Sequence, residues 1–364
     1  MPGTLSTEKD ARSPVAASRH RITAAGRRAK GARSALIIHD AVAEDADPDQ
    51  QDTLEQARTV ARALAALGYR VSVLPLDLDL TVLGRVAARP PDLVFNLVES
   101  LGGSGRLIHL APAVLEDRGI PFTGCGAEAL FLTSNKPLAK RVMAAAGVAT
   151  PDWGLLPRPK CDPRTRYIIK SAWEHASIGL SRDSVVAGSL VSRKLRRLDP
   201  AARGDWFAER YIEGREFNIS VLEDSDGPEV LPIPEMLFVD YPPDCPRIVD
   251  YQAKWDRRSF AYHNTVRSFG SRSEDRPLRA RLAEIARQCW RLFGLRGYAR
   301  IDFRVDADGR PWVLEVNTNP CLSPDAGFLA AAAEAGLGLE QIVARICAAV
   351  PQGAEAETAY MELR

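Results

Sequence analysis

The chain has 364 residues, 46% hydrophobic and 26% charged, with 26 Gly and 25 Pro, an ordinary soluble composition long enough for two or three domains. No apolar run approaches the ~18–20 residues of a membrane span and no signal-peptide core opens the sequence, so no membrane partner is expected. The net charge of +1 argues against a nucleic-acid partner, yet it conceals a division: residues 1–33 hold eight Lys/Arg against two acids, and the rest holds 40 basic residues against 45 acidic.

Residues 1–33, rich in Ala, Arg, Ser and Gly, show no hydrophobic period and read as a disordered basic tail. The same composition fits a transit peptide or an electrostatic tether, and nothing in it decides among them. Ala35 to His39 reads as a buried strand, followed by a polar loop and a helix from about Asp52 to Leu67 with Leu54, Ala57, Val60, Ala61 and Leu64 on one face. Gly68 ends that helix, and a strand (69–76), a short helix (82–88) and a strand (93–97) complete a βαβαβ pattern, which implies a parallel sheet. We take 34–133 as a first α/β domain. A second unit, 134–206, holds an amphipathic helix (135–146) and the strand 167–170; a third, 207–350, holds antiparallel strands 298–305 and 311–316 around the turn Asp306–Gly309. Residues 351–364 read as a tail, and no internal repeat is present. The six cysteines are scattered without a C-x-x-C pair and the five histidines are isolated, which points to reduced thiols in a cytoplasmic protein and away from zinc. Gly124-Cys125-Gly126-Ala127-Glu128-Ala129 matches a dinucleotide fingerprint, but no acidic residue stands about 20 positions on, so it reads as a strand-to-helix turn.

Chemistry concentrates in the third unit. Period-2 alternation puts Arg300 and Asp302 on one face of a strand, and Glu315 and Asn317 on one face of the next. If the faces coincide, two carboxylates and an amide oxygen converge beside an arginine, a set suited to Mg²⁺ holding phosphates; otherwise this is a surface hairpin with solvated charges. Lys170 ends a buried strand before a loop of small residues through Ser181, which suits either a phosphate site or a tight turn with a snorkelling lysine. No G-x-x-x-x-G-K-[ST] occurs, which excludes a Walker-type ATPase.

Taken together, the ordered motifs from Asp92 to Cys347 resemble the ATP-grasp superfamily, and within it the D-alanine–D-alanine ligases. They are Phe95-Asn96-Leu97 with Gly102-Gly103-Ser104-Gly105, Ile120-Pro121-Phe122-Thr123-Gly124, Asn135-Lys136, Ile168-Ile169-Lys170, Glu209-Arg210-Tyr211-Ile212 with Gly214-Arg215-Glu216-Phe217, Asp250-Tyr251-Gln252-Ala253-Lys254-Trp255, and Arg300-Ile301-Asp302 with Leu314 to Pro320. The resemblance implies an α/β ATP-grasp fold with α+β grasp lobes, preceded by a small parallel-sheet domain. It implies a ligase that uses ATP and Mg²⁺ (two ions, with Mn²⁺ as an alternative) to join a small-molecule carboxylate and an amine through an acyl phosphate, and a homodimer by analogy. By position, Lys136 and Lys170 match lysines on ATP phosphates; Glu209 and Glu216 match acids on the adenine amino group and ribose, with Tyr211, Ile212 and Leu314 beside the nucleotide. Ser177 falls in the loop that closes on phosphate, Lys254 in the loop that reaches the γ-phosphate. Asp302, Glu315 and Asn317 match the metal ligands, and Arg300 the catalytic arginine.

Departures cluster in the substrate pocket. The Gly-Gly, Ser and Glu motif of the true dipeptide ligases after the first strand is absent, their loop serine and tyrosine align with Ala176 and Trp255, and the glycine after the metal motif aligns with Cys321. Glu99, His175, Trp255, Asn319 and Cys321 are the candidate substrate residues. Seven acids between Asp40 and Glu55 fit either a site for a cationic group or a solvated loop. Three changes in one pocket point to a substrate other than D-alanine pairs, the alternatives being a true D-alanine–D-alanine ligase of cell-wall synthesis or an ATP-binding regulatory protein of the same fold.

Overall fold

Strand β1 (Ser34–Asp40) is the middle of a three-stranded parallel sheet, and in this computed structural model it is buried on both faces. Its alternation sends Ala35 and Ile37 into one apolar cluster and Leu36 and Ile38 into another. The structure describes residues 32–351 except 44, 156–159, 175–176, 199–205 and 271. The expected tails at 1–33 and 351–364 lie outside the described residues except for 32, 33 and 351. Contacts of the compact unit begin at Arg33, whose carbonyl accepts the Arg70 N–H at 2.8 Å and whose guanidinium lies 4.7 Å from the Tyr69 ring centroid.

Helix α1 (Pro48–Ala66) starts four residues before the expected Asp52, because Pro48 sits in the first turn, where its missing N–H costs nothing. Asp49 therefore joins Asp52 and Glu55 on the helix, while Asp45 and Asp47 remain exposed ahead of it. Gly68, at φ 85°, supplies the left-handed residue that turns the chain into β2 (Arg70–Leu76). After α2 (Thr81–Ala88), β3 (Leu93–Asn96) pairs on the other side of β1, giving the order β2-β1-β3. α3 (Leu110–Asp117) covers the Leu36/Ile38 face, and Gly126 caps α4 (Ala127–Ser134), so the fingerprint-like Gly124–Gly126 is the entry to a helix.

Helix α5 (Lys136–Ala145) is capped by Asn135, whose side chain accepts the Leu138 N–H at 2.9 Å. An antiparallel sheet of order β4-β7-β5-β6 follows, from β4 (Trp153–Leu155), β5 (Arg166–Ser171), β6 (Val185–Ala187) and β7 (Trp206–Arg210), with α6 (Gly188–Leu195) packed on Tyr167, Ile169 and Ala208.

The third sheet is built from β8 (Arg215–Asp224), β9 (Gly227–Val230), β10 (Glu235–Phe238), β11 (Thr265–Ser268), β12 (Tyr298–Val305) and β13 (Pro311–Asn317). Its order is β11-β10-β8-β12-β13, with β9 paired to β8. Between β10 and β11 lie α7 (Tyr251–Trp255) and α8 (Phe260–Asn264). One face buries Phe217, Ile219, Ile301 and Phe303 against Ala139 and Met143 of α5 and against α9 (Arg276–Leu292). α10 (Gly327–Glu334) and α11 (Leu339–Ala348) complete the cluster shared with α1 and β1. Among the described residues no single helix is long and apolar enough to cross a membrane.

Candidate active site

Antiparallel pairing of β12 and β13 puts Asp302 directly opposite Glu315, and Arg300 opposite Asn317, with a bulge after Asp302. The two charged faces coincide. Arg300 grips Asp302 through Nε and Nη2, each at 2.8 Å, and its Nη2 stands 4.0 Å from Glu315 Oε1. Burial works against the arginine's charge, but Asp302 outweighs it and holds the guanidinium above its usual range. Asn317 Oδ1 accepts the Asn319 N–H at 3.0 Å, shaping the turn that follows.

Around this hairpin three lysines converge from three other elements. Lys136, in the first turn of α5, is 6% exposed; its Nζ donates to the Glu174 carbonyl at 2.5 Å and lies 3.8 Å from Glu315 Oε2. Burial lowers its pKa, and burial together with nearby Arg300 lowers that of Lys254 on α7. Both ammonium groups are thus under-compensated, a condition that an incoming phosphate relieves. Lys170 at the end of β5 is different: burial opposes its charge, but Glu209 at 2.5 Å wins and raises it. Glu209 sits between Lys170 and Lys140, the latter at 2.7 Å, and despite burial the two cations hold its carboxyl below the ordinary range. Glu216 pairs with its β-sheet neighbour Arg304 at 2.8 Å, although burial keeps its carboxyl above the ordinary range.

These groups, Lys140 apart, line a cavity of about 660 Å³. Ile168, Leu180, Tyr211, Ile212, Ile248 and Leu314 give it an apolar slot beside Glu209 and Glu216. Tyr211 is held from both sides, with the Arg166 guanidinium 4.9 Å over its ring and its hydroxyl accepting the Arg247 N–H at 3.1 Å. Ser177 lies on the wall at φ 64°, with its Oγ donating to the Val249 carbonyl at 2.7 Å, which ties two loops together. α7 is capped by Asp250, and Tyr251 reaches across to Asp49 Oδ1 at 2.9 Å, so α1 and the Lys254 loop are joined.

The far wall is acidic: Asp49, Asp52, Glu99 and Asp325 line it, with Trp255, Cys321 and Ser323. Asp52 Oδ2 accepts from Cys321 Sγ at 3.0 Å and Ser323 Oγ at 3.1 Å, and burial keeps the Cys321 thiol protonated well above its usual pKa. One of the expected substrate residues falls elsewhere. Asn319 does not line the cavity: its side chain accepts the Tyr298 hydroxyl at 2.6 Å and donates to the Val98 carbonyl at 2.9 Å, an internal brace. His175, like Ala176, lies outside the described residues.

Several residues of the site escaped the sequence reading. Lys140 stands one helical turn after Lys136 and shares its face, and Arg304 continues the alternation of Arg300 and Asp302, so both carried a local signal. Gln56 and Arg267 carried none, since α1 and β11 come to the site only through tertiary packing, and Asp52 was marked only as one of the seven acids of 40–55.

No group of three or more His, Cys, Asp or Glu among the described residues is arranged to hold a metal ion. The oxygen set of Asp302, Glu315 and Asn317 nonetheless suits a hard cation that takes its remaining ligands from phosphate and water, since each carboxylate oxygen bonded to Arg300 keeps a second lone pair.

Residues 164–348 match the model of the family described as the D-ala D-ala ligase C-terminus. A D-alanine–D-alanine ligase of Halorhodospira halophila is 31% identical over 300 residues, covering 81% of this chain and 90% of that protein. A Sinorhizobium fredii protein described as uncharacterized, y4sG, is 30% identical over 259 residues, 70% of this chain and 74% of its own. In fold, the chain is similar to the crystal structure of a Bacillus anthracis D-alanine–D-alanine ligase complexed with ATP, with a TM-score of 0.67 at 18% identity, covering 92% of this chain and all of that one. With the family model spanning the whole hairpin and both grasp strands, the chain belongs to the D-alanine–D-alanine ligase family, ATP-grasp enzymes that form a C–N bond.

Proposed function

We propose that the protein is an ADP-forming carboxylate–amine ligase that joins amino acids or small peptides and has diverged from strict D-alanine dipeptide synthesis. The observation that carries this reading is the register of Arg300, Asp302, Glu315 and Asn317, with Lys136, Lys170 and Lys254 converging on it from α5, β5 and α7. A carboxylate is a poor acyl donor because its leaving group is oxide; phosphorylation by ATP makes the leaving group phosphate. Lys136, Lys170 and Lys254 bind and orient the triphosphate, the apolar slot at Tyr211, Ile212 and Leu314 takes the base, and Glu209 and Glu216 take the polar edges of the nucleoside. Magnesium held by Asp302, Glu315 and Asn317 neutralises phosphate charge when bound. Arg300, kept cationic beside Asp302, offers its donors to the oxygens where negative charge gathers in both phosphoryl and acyl transfer. Ser177 and the Tyr251–Asp49 bond close the loops over the cavity, which shields an acyl phosphate from water.

The divergence in substrate is supported by the acidic wall and by Cys321, whose side chain occupies space that the family's glycine leaves open. The test is ADP release from ATP and Mg²⁺ across a panel of D- and L-amino acids, with mass spectrometry of the products. Amide products from other amino acids are expected; robust D-Ala-D-Ala formation overturns the substrate reading, and the absence of substrate-dependent ADP overturns the ligase reading. Glu315→Gln should lower turnover at least ~100-fold while the melting temperature is kept, and retained activity overturns the metal assignment.

A further inference from the structure

The ligase reading gives Glu99, a candidate substrate residue on the acidic wall of the cavity, no chemical role. It follows β3 and keeps partial exposure toward the cavity that it lines. One oxygen is held: Gln56 Nε2 donates to Glu99 Oε1 at 3.1 Å, and Gln56, itself 2% exposed, is pinned by the Leu322 N–H on its own oxygen at 2.8 Å. The Glu99 backbone N–H donates to Asp40 Oδ1 at 2.7 Å. Both ends of the residue are therefore fixed, and among the described residues its second oxygen has no hydrogen-bond donor.

The titratable neighbours are Asp40 from β1, Asp52 from α1, Lys254 from α7, Tyr298 from β12 and Cys321 after β13. Burial first, then Asp40 and Asp52, push the Glu99 carboxyl up to about 7 against the opposing effects of Gln56 and Lys254. The other groups are committed. Asp40 accepts from Glu99 and Ser100, Asp52 from Cys321 and Ser323, Tyr298 donates to Asn319, and the Cys321 thiol stays protonated.

An amine acceptor arrives as an ammonium ion without a lone pair, and an anionic carboxylate both attracts it and can relieve it of a proton. We propose that Glu99 is the general base of the acceptor step, taking a proton from the incoming ammonium, and that Gln56 is the positioning residue that aims it. The inference rests on the ligase reading above. One ammonium proton passes to Glu99; the amine nitrogen then forms the C–N bond at the acyl carbon. The C–O bond to phosphate breaks with its electron pair going to phosphate, which accepts the second proton.

Hydroxylamine separates this step from the first, because it is largely neutral at pH 7 and needs no base. Each amino acid of the panel, with ATP and Mg²⁺, is offered either hydroxylamine or a second amino acid, using wild type and Glu99→Gln, which preserves the bond to Gln56. The ratio of amide to hydroxamate should fall at least ~100-fold in the variant, and the rise of kcat/KM for the amine through pH ~7 should disappear. Gln56→Leu should lower kcat for the amide more than it raises the KM for ATP. An unchanged ratio in Glu99→Gln, or equal loss of both products with the pH profile intact, overturns the proposal alone. No hydroxamate and no ADP from wild type overturns the ligase reading, and the proposal with it.

Discussion

Glu99 shows how a single side chain ties function to stability. Its carboxyl titrates near 7 in the folded protein and near 4.5 in an unfolded chain, so between those values the folded state binds the extra proton and stability falls as pH rises. Glu99→Gln removes that penalty. The variant should be more stable than wild type at pH 8, by up to roughly 3 kcal/mol, with the gain fading toward pH 4.5. Melts at pH 5 and pH 8 test it, and a gain independent of pH contradicts the assignment. The residue was singled out in the sequence only by its place beside a glycine-rich turn. Its partners Gln56 and Asp40 are 43 and 59 positions away, so no local pattern announced its environment.

Helix α5 is the element that joins the Glu209 and Glu315 sides of the cavity. Lys136 and Lys140 stand on one face; Lys136 looks toward Glu315, while Lys140 bridges Glu209 of β7 and Thr150 Oγ1, which donates in turn to the Val313 carbonyl of β13. Lys140 is fully buried, so replacing it leaves Glu209 with half of its compensation in a low-dielectric setting. Lys140→Met should cost about 3–5 kcal/mol in chemical denaturation, and a loss below ~1 kcal/mol would show that the network contributes little. Periodicity located α5, the strands of the first sheet and the β12–β13 hairpin within a residue or two, since their apolar patterns are strong. It misplaced the start of α1, where the buried face is sparse and Pro48 opens the helix.

In the molecule as a whole, α5 and α9 pack on one face of β8 and β12, α1, α10 and α11 join the first and third sheets in a second core, and the second sheet keeps smaller clusters of its own around Ile169 and Ile168. The basic segment precedes all of this, whereas Arg33 already pairs with Arg70. Deleting residues 1–31 should leave ATP-dependent turnover within about twofold of wild type. Deletion through Asp40 removes the central strand of the first sheet and should leave no soluble folded product. A large loss of turnover from the shorter deletion would give the basic segment a catalytic part. The near-neutral total charge thus resolves into a basic segment and a mildly acidic body whose interior holds opposed sets of charge. The convergence of Arg300, Asp302, Glu315 and Asn317 was readable locally, because they are related by strand alternation and a short turn. Only tertiary structure decided which acids line the cavity. Asp52 and Glu99 meet Cys321 across long sequence separations, and burial in a common cavity, rather than spacing, pushes both carboxyls up.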